Sequence, residues 1–340
     1  MKILLATDAW YPQVNGVVRC LDRVRQECSA LGSDVQVLSP EGFATLPMPT
    51  YPEIRLALAG PGAIARRIEA IAPQYVHIAT EGPIGHTVRR WCLRNGQPFT
   101  TSYHTRFPEY LRARMPVPVD LTYRYLARFH NAGEAVMVTT DALAQELRGR
   151  GFRTVVRWPR GVDQEQFRPR TKRVLDFPGP VSLYVGRVAV EKNIEAFLAL
   201  DIPGTKVVVG DGPQKAELER KFPDTKFLGT KHGEELGAIY SSADVFVFPS
   251  RTDTLGLVVM EALASGVPVV TLPVTGPREI IGDAPVGVLT EDLAQGVHDA
   301  LKLSREDCRA HAMTFSWSEC ARIFLDHVKT FQGGAQRRAA

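Results

Sequence analysis

The sequence predicts an α/β protein built from two doubly wound parallel sheets, on two observations. Residues 245–272 have the pattern strand, polar loop, helix, strand. The apolar run Val245–Phe248 ends at a Pro-Ser pair where a ladder cannot continue, helically spaced apolar residues follow, and a second apolar run begins at Val267. The first 39 residues repeat this pattern. Such units build open parallel sheets, and 340 residues suffice for two of them.

The remaining elements follow the same alternation. Predicted strands are short apolar runs bounded by Gly, Pro or polar residues, at 1–7, 35–39, 54–58, 75–79, 99–103, 135–139, 181–185, 206–209, 227–229, 245–248, 267–272 and 287–289. Predicted helices show 3.6-residue spacing, at 16–31, 61–71, 84–94, 141–150, 194–200, 214–221, 234–241, 257–264, 278–281, 291–303 and 318–331. A charged, proline-containing segment at 169–180 predicts a linker, with domains at 1–169 and 170–315.

Composition limits the class of protein. The chain is 44% hydrophobic and 23% charged, which is ordinary globular composition. Five cysteines without a C-x-x-C pair indicate neither a disulfide framework nor a zinc site, so a reducing cytoplasm is expected. The N-terminus lacks a signal-peptide pattern, and no apolar run approaches a membrane span. The net charge is +7 over residues 1–170 and −3 over 171–340, so the first lobe is the basic one.

Two acidic residues mark the 245–272 unit as a candidate site. Asp253 lies in the loop and Glu261 inside the following helix, so the two can contact different parts of one long ligand in a cleft. The helix N-terminus points free N–H groups past the carboxyl ends of the strands, which favours a phosphate. A helix cap for Asp253 and a solvated carboxylate for Glu261 are the structural alternatives.

These residues resemble the retaining family-4 glycosyltransferases of the GT-B fold, two Rossmann-like domains facing across a cleft. The resemblance rests on D-T-L-G-L-V-V-M-E from Asp253 to Glu261, with Asp where most members have Glu, on N-G-V from Asn15, and on G-R-x-x-x-E-K-N from Gly186. It implies that a C-terminal helix at 316–332 crosses back over the first domain. Residues 333–340 are expected to form a disordered tail.

The resemblance also implies roles for individual residues. It assigns Arg187 and Lys192 to a donor diphosphate, Glu261 to the ribose, Asp253 to the donor sugar, and His104, at the end of a strand, to the same sugar. Further donor contacts are expected at Asn15, Gly16, Gly186, Thr230, Lys231, Thr254, Leu255, Gly256 and Leu257. Solvation of Arg187 and Lys192, a structural histidine at 104 and a turn glycine at 16 are the alternatives. The absence of a D-x-D triplet and the abundant positive charge predict no metal and no cofactor.

A basic, aromatic segment marks the first lobe. Residues 86–128 contain eight arginines against two acidic residues, with aromatic residues between them. Basic amphipathic surface of this kind binds anionic lipid headgroups, and Arg106, Arg112, Arg114 and Tyr110 are predicted to serve the membrane or acceptor. A solvated face over core aromatics and a nucleic-acid surface are the alternatives.

The favoured function is retaining, metal-independent transfer of glucose or glucuronic acid from a UDP-sugar to a lipid such as diacylglycerol. The motifs resemble most the branch of bacterial diacylglycerol and sulfolipid glycosyltransferases. The expected protein is a cytoplasmic monomer or weak oligomer, peripheral on the inner face of the plasma membrane, without a nucleic-acid partner. A GDP-mannose-dependent α-mannosyltransferase is the nearest alternative; a nucleotide-sugar epimerase of GT-B fold and a non-catalytic binder are alternatives from other classes.

Overall fold

The chain forms two compact units. The computed structural model describes residues 1–13, 15–48, 51–112, 116–251, 253 and 255–336, with backbone alone at 48, 51–54, 110 and 334–336. One unit comprises Met1–Arg160 together with the chain from Trp317 onward, and the other comprises Gly161–Ser316. Each contains a parallel sheet with helices, so the predicted α/β class is confirmed.

The first unit alternates strands and helices. Its elements up to residue 160 are, in order, β1 (Lys2–Ala6), α1 (Gly16–Ala30), β2 (Asp34–Leu38), β3 (Thr45–Met48), β4 (Tyr51–Ala57), α2 (Pro61–Ile71), β5 (Tyr75–Ile78), α3 (Pro83–Arg94), β6 (Phe99–Ser102), α4 (Phe107–Arg112), α5 (Val119–His130), β7 (Ala135–Val138), α6 (Asp141–Gly149) and β8 (Val155–Arg157). The described strands pair in the order β2-β1-β5-β6-β7-β8, all parallel. Because β1 is followed by β2 on one side and pairs with β5 on the other, the topological switch point lies between β1 and β5.

The second unit has the same architecture. Its elements are, in order, β9 (Val181–Val185), a 3₁₀ turn (Val190–Lys192), α7 (Ile194–Leu198), β10 (Thr205–Val209), α8 (Lys215–Lys221), β11 (Lys226–Phe227), α9 (Gly233–Ser242), β12 (Val245–Phe248), α10 (Leu257–Ala264), β13 (Val269–Thr271), α11 (Thr275–Ile281), β14 (Gly287–Leu289), α12 (Leu293–Ala300) and α13 (Arg305–Ala312). The described strands pair in the order β11-β10-β9-β12-β13-β14, all parallel. Here the switch point lies between β9 and β12.

Helix α14 (Trp317–Gln336) returns the chain to the first unit, where it packs along α1 and across β5 and β6. Phe324 is fully buried there, and Trp158 Nε1 donates to the carbonyl of Cys320 at 3.1 Å. The side chain of Gln332 is also fully buried and hydrogen-bonds both backbone groups of Val76 at 3.0 Å. The last helix thus completes the core of the first unit.

Two expected boundaries are wrong. The first unit ends at Arg160 rather than at 169, because Val162 and Phe167 are buried in the core of the second unit and Arg309 donates to the carbonyl of Phe167 at 2.8 Å. The terminal helix continues to Gln336, so residues 333–336 are helical rather than part of a disordered tail. Residues 337–340 lie outside the described chain.

Several elements were missed by the sequence pattern. The antiparallel hairpin β3–β4 replaces the single strand expected at 54–58. Helices α4 and α5 form within the segment that Pro108, Pro116 and Pro118 interrupt, with Pro118 at the N-cap of α5. Helix α13 begins after the Ser304 cap, whose side chain accepts from the amide of Asp307 at 3.1 Å. Proline is compatible with the start of a helix, so treating every proline as a helix breaker misses such helices.

Candidate active site

The switch point of the second unit brings together two loops that the sequence singled out. The loop after β9 carries Gly186, Arg187 and Lys192, and the loop after β12 carries Asp253. In open parallel sheets, ligands bind beyond the carboxyl ends of strands at such a point. The topology therefore places the predicted cationic and acidic residues at the edge of the sheet where a ligand is expected.

Lys192 and Asp253 form an ion pair at this switch point. Lys192 Nζ lies 2.5 Å from Asp253 Oδ1, with the two side chains 19% and 18% exposed. Asn193, in a left-handed conformation with φ of 51°, donates from Nδ2 to the carbonyl of Pro249 at 3.1 Å. This hydrogen bond ties the 3₁₀ turn to the end of β12 and so sets the position of Lys192, a role that the sequence analysis did not assign.

The second carboxylate oxygen of Asp253 has no partner among the described residues. Oδ2 is buried and makes no hydrogen bond within the part of the chain that the structure describes. A buried carboxylate oxygen left in this way is energetically costly, so a ligand hydroxyl is a natural partner for it. The alternative role of Asp253 as a helix cap is excluded, because Gly256 occupies the N-cap position of α10.

No described side chain caps the N-terminus of α10. Gly256 has a φ of +91°, a conformation that glycine adopts without strain, and the loop ahead of it carries Leu255, which is buried. A Cβ on Gly276, in the first turn of α11, would lie 2.5 Å from the carbonyl oxygen of Leu255, so glycine there permits the close approach of the two loops. Leu257 is the first helical residue. The amide of Val259 donates to the carbonyl of Gly256 at 2.9 Å, and no described side chain engages the amides of Leu257 and Val258, which could bind an anion.

Glu261, to which the resemblance assigns the donor ribose, is a buried residue. It is 8% exposed, and its Oε2 accepts a hydrogen bond from the hydroxyl of Tyr240 on α9 at 2.9 Å. The alternative of a solvated carboxylate is therefore wrong. Tyr240 gave no signal in the sequence because it is a single aromatic residue in a helix of mixed polar and apolar composition.

The other predicted donor contacts of this unit lie in the loops around the same edge. Arg187 is half-buried, and the hydroxyl of Tyr184 donates to its backbone carbonyl at 2.9 Å. Thr230 is exposed and Lys231 pairs with Glu235 at 2.6 Å, both after β11 at the sheet edge. Thr254 lies outside the described residues.

At the switch point of the first unit, an internal carboxylate already bonds to the start of α3. The buried carboxylate of Asp8, after β1, accepts from the amides of Ile84 and Gly85 at 2.8 and 3.2 Å and from the hydroxyl of Thr80 at 2.9 Å. Burial raises the pKa of Asp8, and these hydrogen bonds oppose the rise. The start of α3 is thus filled by an internal carboxylate, which the sequence analysis did not foresee.

Asn15 and Gly16 begin α1 in the first unit. Oδ1 of Asn15 accepts from the amides of Val17 and Val18, both at 3.0 Å, so the side chain is the helix N-cap. Gly16 is exposed at the first helical position. Two of the amides that an anion would use are therefore already engaged by Asn15.

His104 belongs to a hydrogen-bonded group within the first unit. Its Nε2 lies 2.8 Å from Ser102 Oγ, and its Nδ1 lies 3.5 Å from a guanidinium nitrogen of Arg160. Ser102 Oγ also lies 3.1 Å from Nε2 of the fully buried His77. Burial, and then the nearby charge of Arg160, hold the pKa of His104 well below its ordinary value. Both ring nitrogens of His104 thus already have partners inside the unit.

The buried histidines predict acid sensitivity of the first unit. Burial lowers the pKa of His77 to about 3, whereas in an unfolded chain it protonates below about 6.5. Because the unfolded state binds the extra proton between these values, His77 alone should lower the free energy of unfolding by up to about 1.4 kcal/mol per pH unit as pH drops below about 6.5.

Urea unfolding at two pH values on either side of that limit checks this expectation. All four tryptophans (Trp10, Trp91, Trp158 and Trp317) belong to the first unit, so their fluorescence reports on it alone. His77→Asn should flatten the pH dependence, and replacing the exposed His298 should not. Equal slopes for the wild type and His77→Asn would contradict the assignment.

The predicted membrane residues are only partly supported by their positions. Arg106 is wrong as a lipid contact: its guanidinium pairs with both carboxylate oxygens of Glu146, at 3.1 and 2.7 Å, and its side chain is 15% exposed. Arg112 is exposed at the end of α4. Arg114 and the side chain of Tyr110 lie outside the described residues. Within the described chain, no helix combines the length and apolarity needed to cross a bilayer.

The two parallel sheets are those of the GT-B fold, and two family models identify the chain as a family-4 glycosyltransferase. The Glycosyltransferase Family 4 model matches residues 14–166, and the model for Glycosyl transferases group 1 matches residues 179–305.

Three relatives show the range of the family. The chain is 26% identical to a GDP-mannose-dependent alpha-mannosyltransferase of Mycobacterium tuberculosis, over 100% of this chain and 99% of the relative. It is 32% identical to the sulfoquinovosyl transferase of Arabidopsis thaliana, over 72% and 52% of the two chains. It is 26% identical to an alpha-monoglucosyldiacylglycerol synthase of Streptococcus pneumoniae, over 92% and 81%.

Solved structures share the fold. The sucrose-phosphate synthase of Thermosynechococcus elongatus superposes with a TM-score of 0.78 at 21% identity, over 96% of this chain and 98% of that one. Anabaena HepE in complex with UDP-glucose superposes with a TM-score of 0.72 at 15% identity, over 97% and 100%.

Proposed function

We propose that this glycosyltransferase moves glucose or glucuronic acid from a UDP-sugar to the hydroxyl of a membrane lipid such as diacylglycerol. The observation that carries the donor half is the Lys192–Asp253 pair next to the start of α10, where no described residue bonds to the second carboxylate oxygen or caps the helix. A cation and free amides suit a diphosphate, and a buried carboxylate oxygen suits a sugar hydroxyl.

The proposed chemistry needs these groups for the leaving diphosphate. As the bond between sugar and phosphate breaks, negative charge grows on the phosphate oxygens, and preorganised positive charge at that point lowers the barrier most. Lys192, Arg187 and the α10 amides supply it, which makes a metal ion unnecessary in this proposal. The leaving phosphate would accept the acceptor proton, and the anomeric configuration would be retained. Proton NMR of the product's anomeric signal tests the retention.

The acceptor half of the proposal is supported by an exposed surface of the first unit, here called the α3–α5 surface. Leu93, Leu121 and Tyr125 are 52%, 58% and 55% exposed. The two helices are joined by a hydrogen bond of 2.7 Å between the Tyr125 hydroxyl and His86 Nε2. Exposed arginines flank the apolar side chains, at Arg90, Arg94, Arg124 and Arg128. On α5, residues 121, 124, 125 and 128 share one helical face.

This composition fits an anionic bilayer. Exposed apolar side chains enter the headgroup boundary, while arginines attract anionic headgroups by about 1 kcal/mol each. The named activities of two relatives, a monoglucosyldiacylglycerol synthase and a sulfoquinovosyl transferase, support a lipid acceptor. The α3–α5 surface replaces Arg106 as the proposed membrane contact.

Arg124→Gln/Arg128→Gln should weaken binding to anionic vesicles about thirtyfold, since two arginines contribute about 2 kcal/mol. Flotation with phosphatidylcholine vesicles, with and without phosphatidylglycerol, measures it. Arg220→Gln/Arg322→Gln removes the same charge from exposed positions elsewhere and should retain binding. Equal binding of both variants, or no preference for phosphatidylglycerol in the wild type, would refute the proposed surface.

GDP-mannose is the second candidate donor, because a GDP-mannose-dependent relative aligns over the whole chain. Radiolabelled UDP-glucose, UDP-glucuronate and GDP-mannose, each incubated with protein and diacylglycerol or phosphatidylinositol and followed by thin-layer chromatography, separate the candidates. Labelled lipid from a UDP-sugar supports the proposal, and labelled lipid from GDP-mannose alone replaces it with mannosyl transfer. Conversion of the free nucleotide-sugar without acceptor would indicate an epimerase.

A further inference from the structure

We propose that Arg160 is a positioning residue that fixes the tautomers of two histidines, holding His104 neutral with its proton on Nε2 and His77 with its proton on Nδ1. The inference rests on the proposed function only in that His104 is a candidate sugar contact. It concerns a residue that neither the motifs nor the family resemblance assigned to any role.

Arg160 is a buried cation among neutral groups. It is 5% exposed, it donates to the carbonyls of Trp158 and Pro159 at 2.6 and 3.1 Å, and its guanidinium carbon lies 3.8 Å from the centre of the Trp158 ring. Backbone carbonyls and an aromatic face stabilise a guanidinium without neutralising it. Its positive charge therefore remains and opposes protonation of His77 and His104.

The direction of the hydrogen bonds follows from what Arg160 can do. A guanidinium only donates, so Nδ1 of His104, 3.5 Å away, must present its lone pair. The ring proton of neutral His104 is then on Nε2 and is donated to Ser102 Oγ at 2.8 Å. Ser102 Oγ lies 3.1 Å from His77 Nε2 and 3.5 Å from the Ala79 carbonyl oxygen, so the nitrogen, at the shorter distance, is the better acceptor for the hydroxyl proton. His77 therefore accepts at Nε2.

The other end of the chain of hydrogen bonds agrees. His77 then donates from Nδ1 to Thr100 Oγ1 at 3.0 Å. The amide of Val76 can only donate, so Gln332 accepts it through Oε1 and its Nε2 donates to the same Thr100 oxygen at 3.2 Å. Thr100 is an acceptor in both contacts. The proton positions deduced from the Arg160 guanidinium are therefore consistent with those deduced from the Val76 amide.

The charge of Arg160 also opposes protonation of this group. The titratable side chains in and around this group of hydrogen-bonded residues are His77 from β5, His104 after β6, His130 from α5, Cys20 from α1 and Cys320 from α14. Burial, and for the histidines the repulsion of the guanidinium, keep His77 and His104 neutral, and burial raises the pKa of both thiols. His104 therefore presents an N–H donor and no positive charge.

Long-range ¹H–¹⁵N correlation spectra of protein labelled with ¹⁵N-histidine test the proposal directly. In the wild type, His104 should show a protonated Nε2 and a bare Nδ1, His77 the reverse, and neither should titrate between about pH 8 and 5.5. In Arg160→Met, the tautomer preference of His104 should be lost and its pKa should rise, because the second cause of the lowered pKa, the charge of Arg160, is removed while burial remains; Arg160→Lys, which keeps the charge, should retain the wild-type behaviour. His104→Gln assigns the signals.

A wild-type His104 with its proton on Nδ1, or one that titrates near pH 6.5, would overturn the proposal. This measurement uses the wild-type protein and does not depend on whether a variant folds. A folded Arg160→Met that keeps the wild-type tautomers of His104 and His77 would overturn the proposal as well. In kinetics, the fall of kcat/KM on the acid side should begin at a higher pH in Arg160→Met than in Arg160→Lys, because the repulsion that opposes protonation of His104 is removed. Absence of sugar transfer with every donor would defeat the proposed function and leave the tautomer assignment intact.

Discussion

Lys192→Ala is expected to reduce the turnover number for sugar transfer at least about a hundredfold, or about 2.7 kcal/mol of transition-state stabilisation. The ammonium is largely buried against Asp253 and is fixed by the Asn193–Pro249 hydrogen bond, so it is preorganised for the charge that develops on the leaving diphosphate. Arg187→Ala, in the same loop, should lose a comparable amount. Initial rates at saturating donor measure both.

The chain offers a matched control for this variant. Lys302 and Asp299 also form a lysine–aspartate pair in the second unit, at 2.7 Å, but their side chains are 72% and 44% exposed. Lys302→Ala should leave turnover unchanged, since exposed pairs contribute little. A turnover number of Lys192→Ala within threefold of the wild type would remove Lys192 from the proposed mechanism.

Asp253→Asn is expected to have two opposite effects. Turnover should fall between about ten- and a hundredfold, because a carboxylate acceptor for a sugar hydroxyl becomes a weaker neutral one. UDP without sugar should bind about fivefold more tightly, or about 1 kcal/mol, because Lys192 is no longer partly neutralised by its partner. On this expectation Asp253 and the diphosphate compete for Lys192.

Calorimetric titration with UDP separates this competition from its alternative. If Asp253 instead aims Lys192 at the phosphates, Asp253→Asn should bind UDP more weakly. Asp299→Asn makes the same chemical change in the exposed pair and should leave both UDP affinity and turnover as they are. Weaker UDP binding by Asp253→Asn would therefore refute the competition while leaving the sugar contact to be judged from turnover.

The fold was predictable because its signals are local. Strand-length apolar runs ending in Gly or Pro, such as Val245–Phe248, and helically spaced ones, such as Pro61–Ile71, mark elements whose order implies parallel sheets. The hairpin β3–β4 was missed because its strands include prolines at 47 and 52, which the strand pattern excludes. Helices α4 and α5 were missed because proline was taken as a breaker rather than as a helix start.

The candidate site was predictable to the extent that its residues share a motif. Arg187, Lys192 and Asp253 follow neighbouring strands, so the topology that the sequence predicts also brings their loops together. The partners of these residues were not predictable. Nothing local links Tyr240 to Glu261 or Arg106 to Glu146, because those contacts depend on how separate helices pack. Arg106 was therefore predicted to be a surface residue because its segment is rich in arginine, although its guanidinium pairs with Glu146.

The return of α14 to the first unit has a consequence for synthesis of the chain. Gly161–Ser316 is continuous, so it can complete its core as soon as it leaves the ribosome. The earlier segment, Met1–Arg160, still lacks Phe324 and the Gln332 amide that occupies the backbone of Val76. The half translated first therefore finishes folding last, and a nascent chain stalled before Trp317 would expose the sheet face that α14 covers.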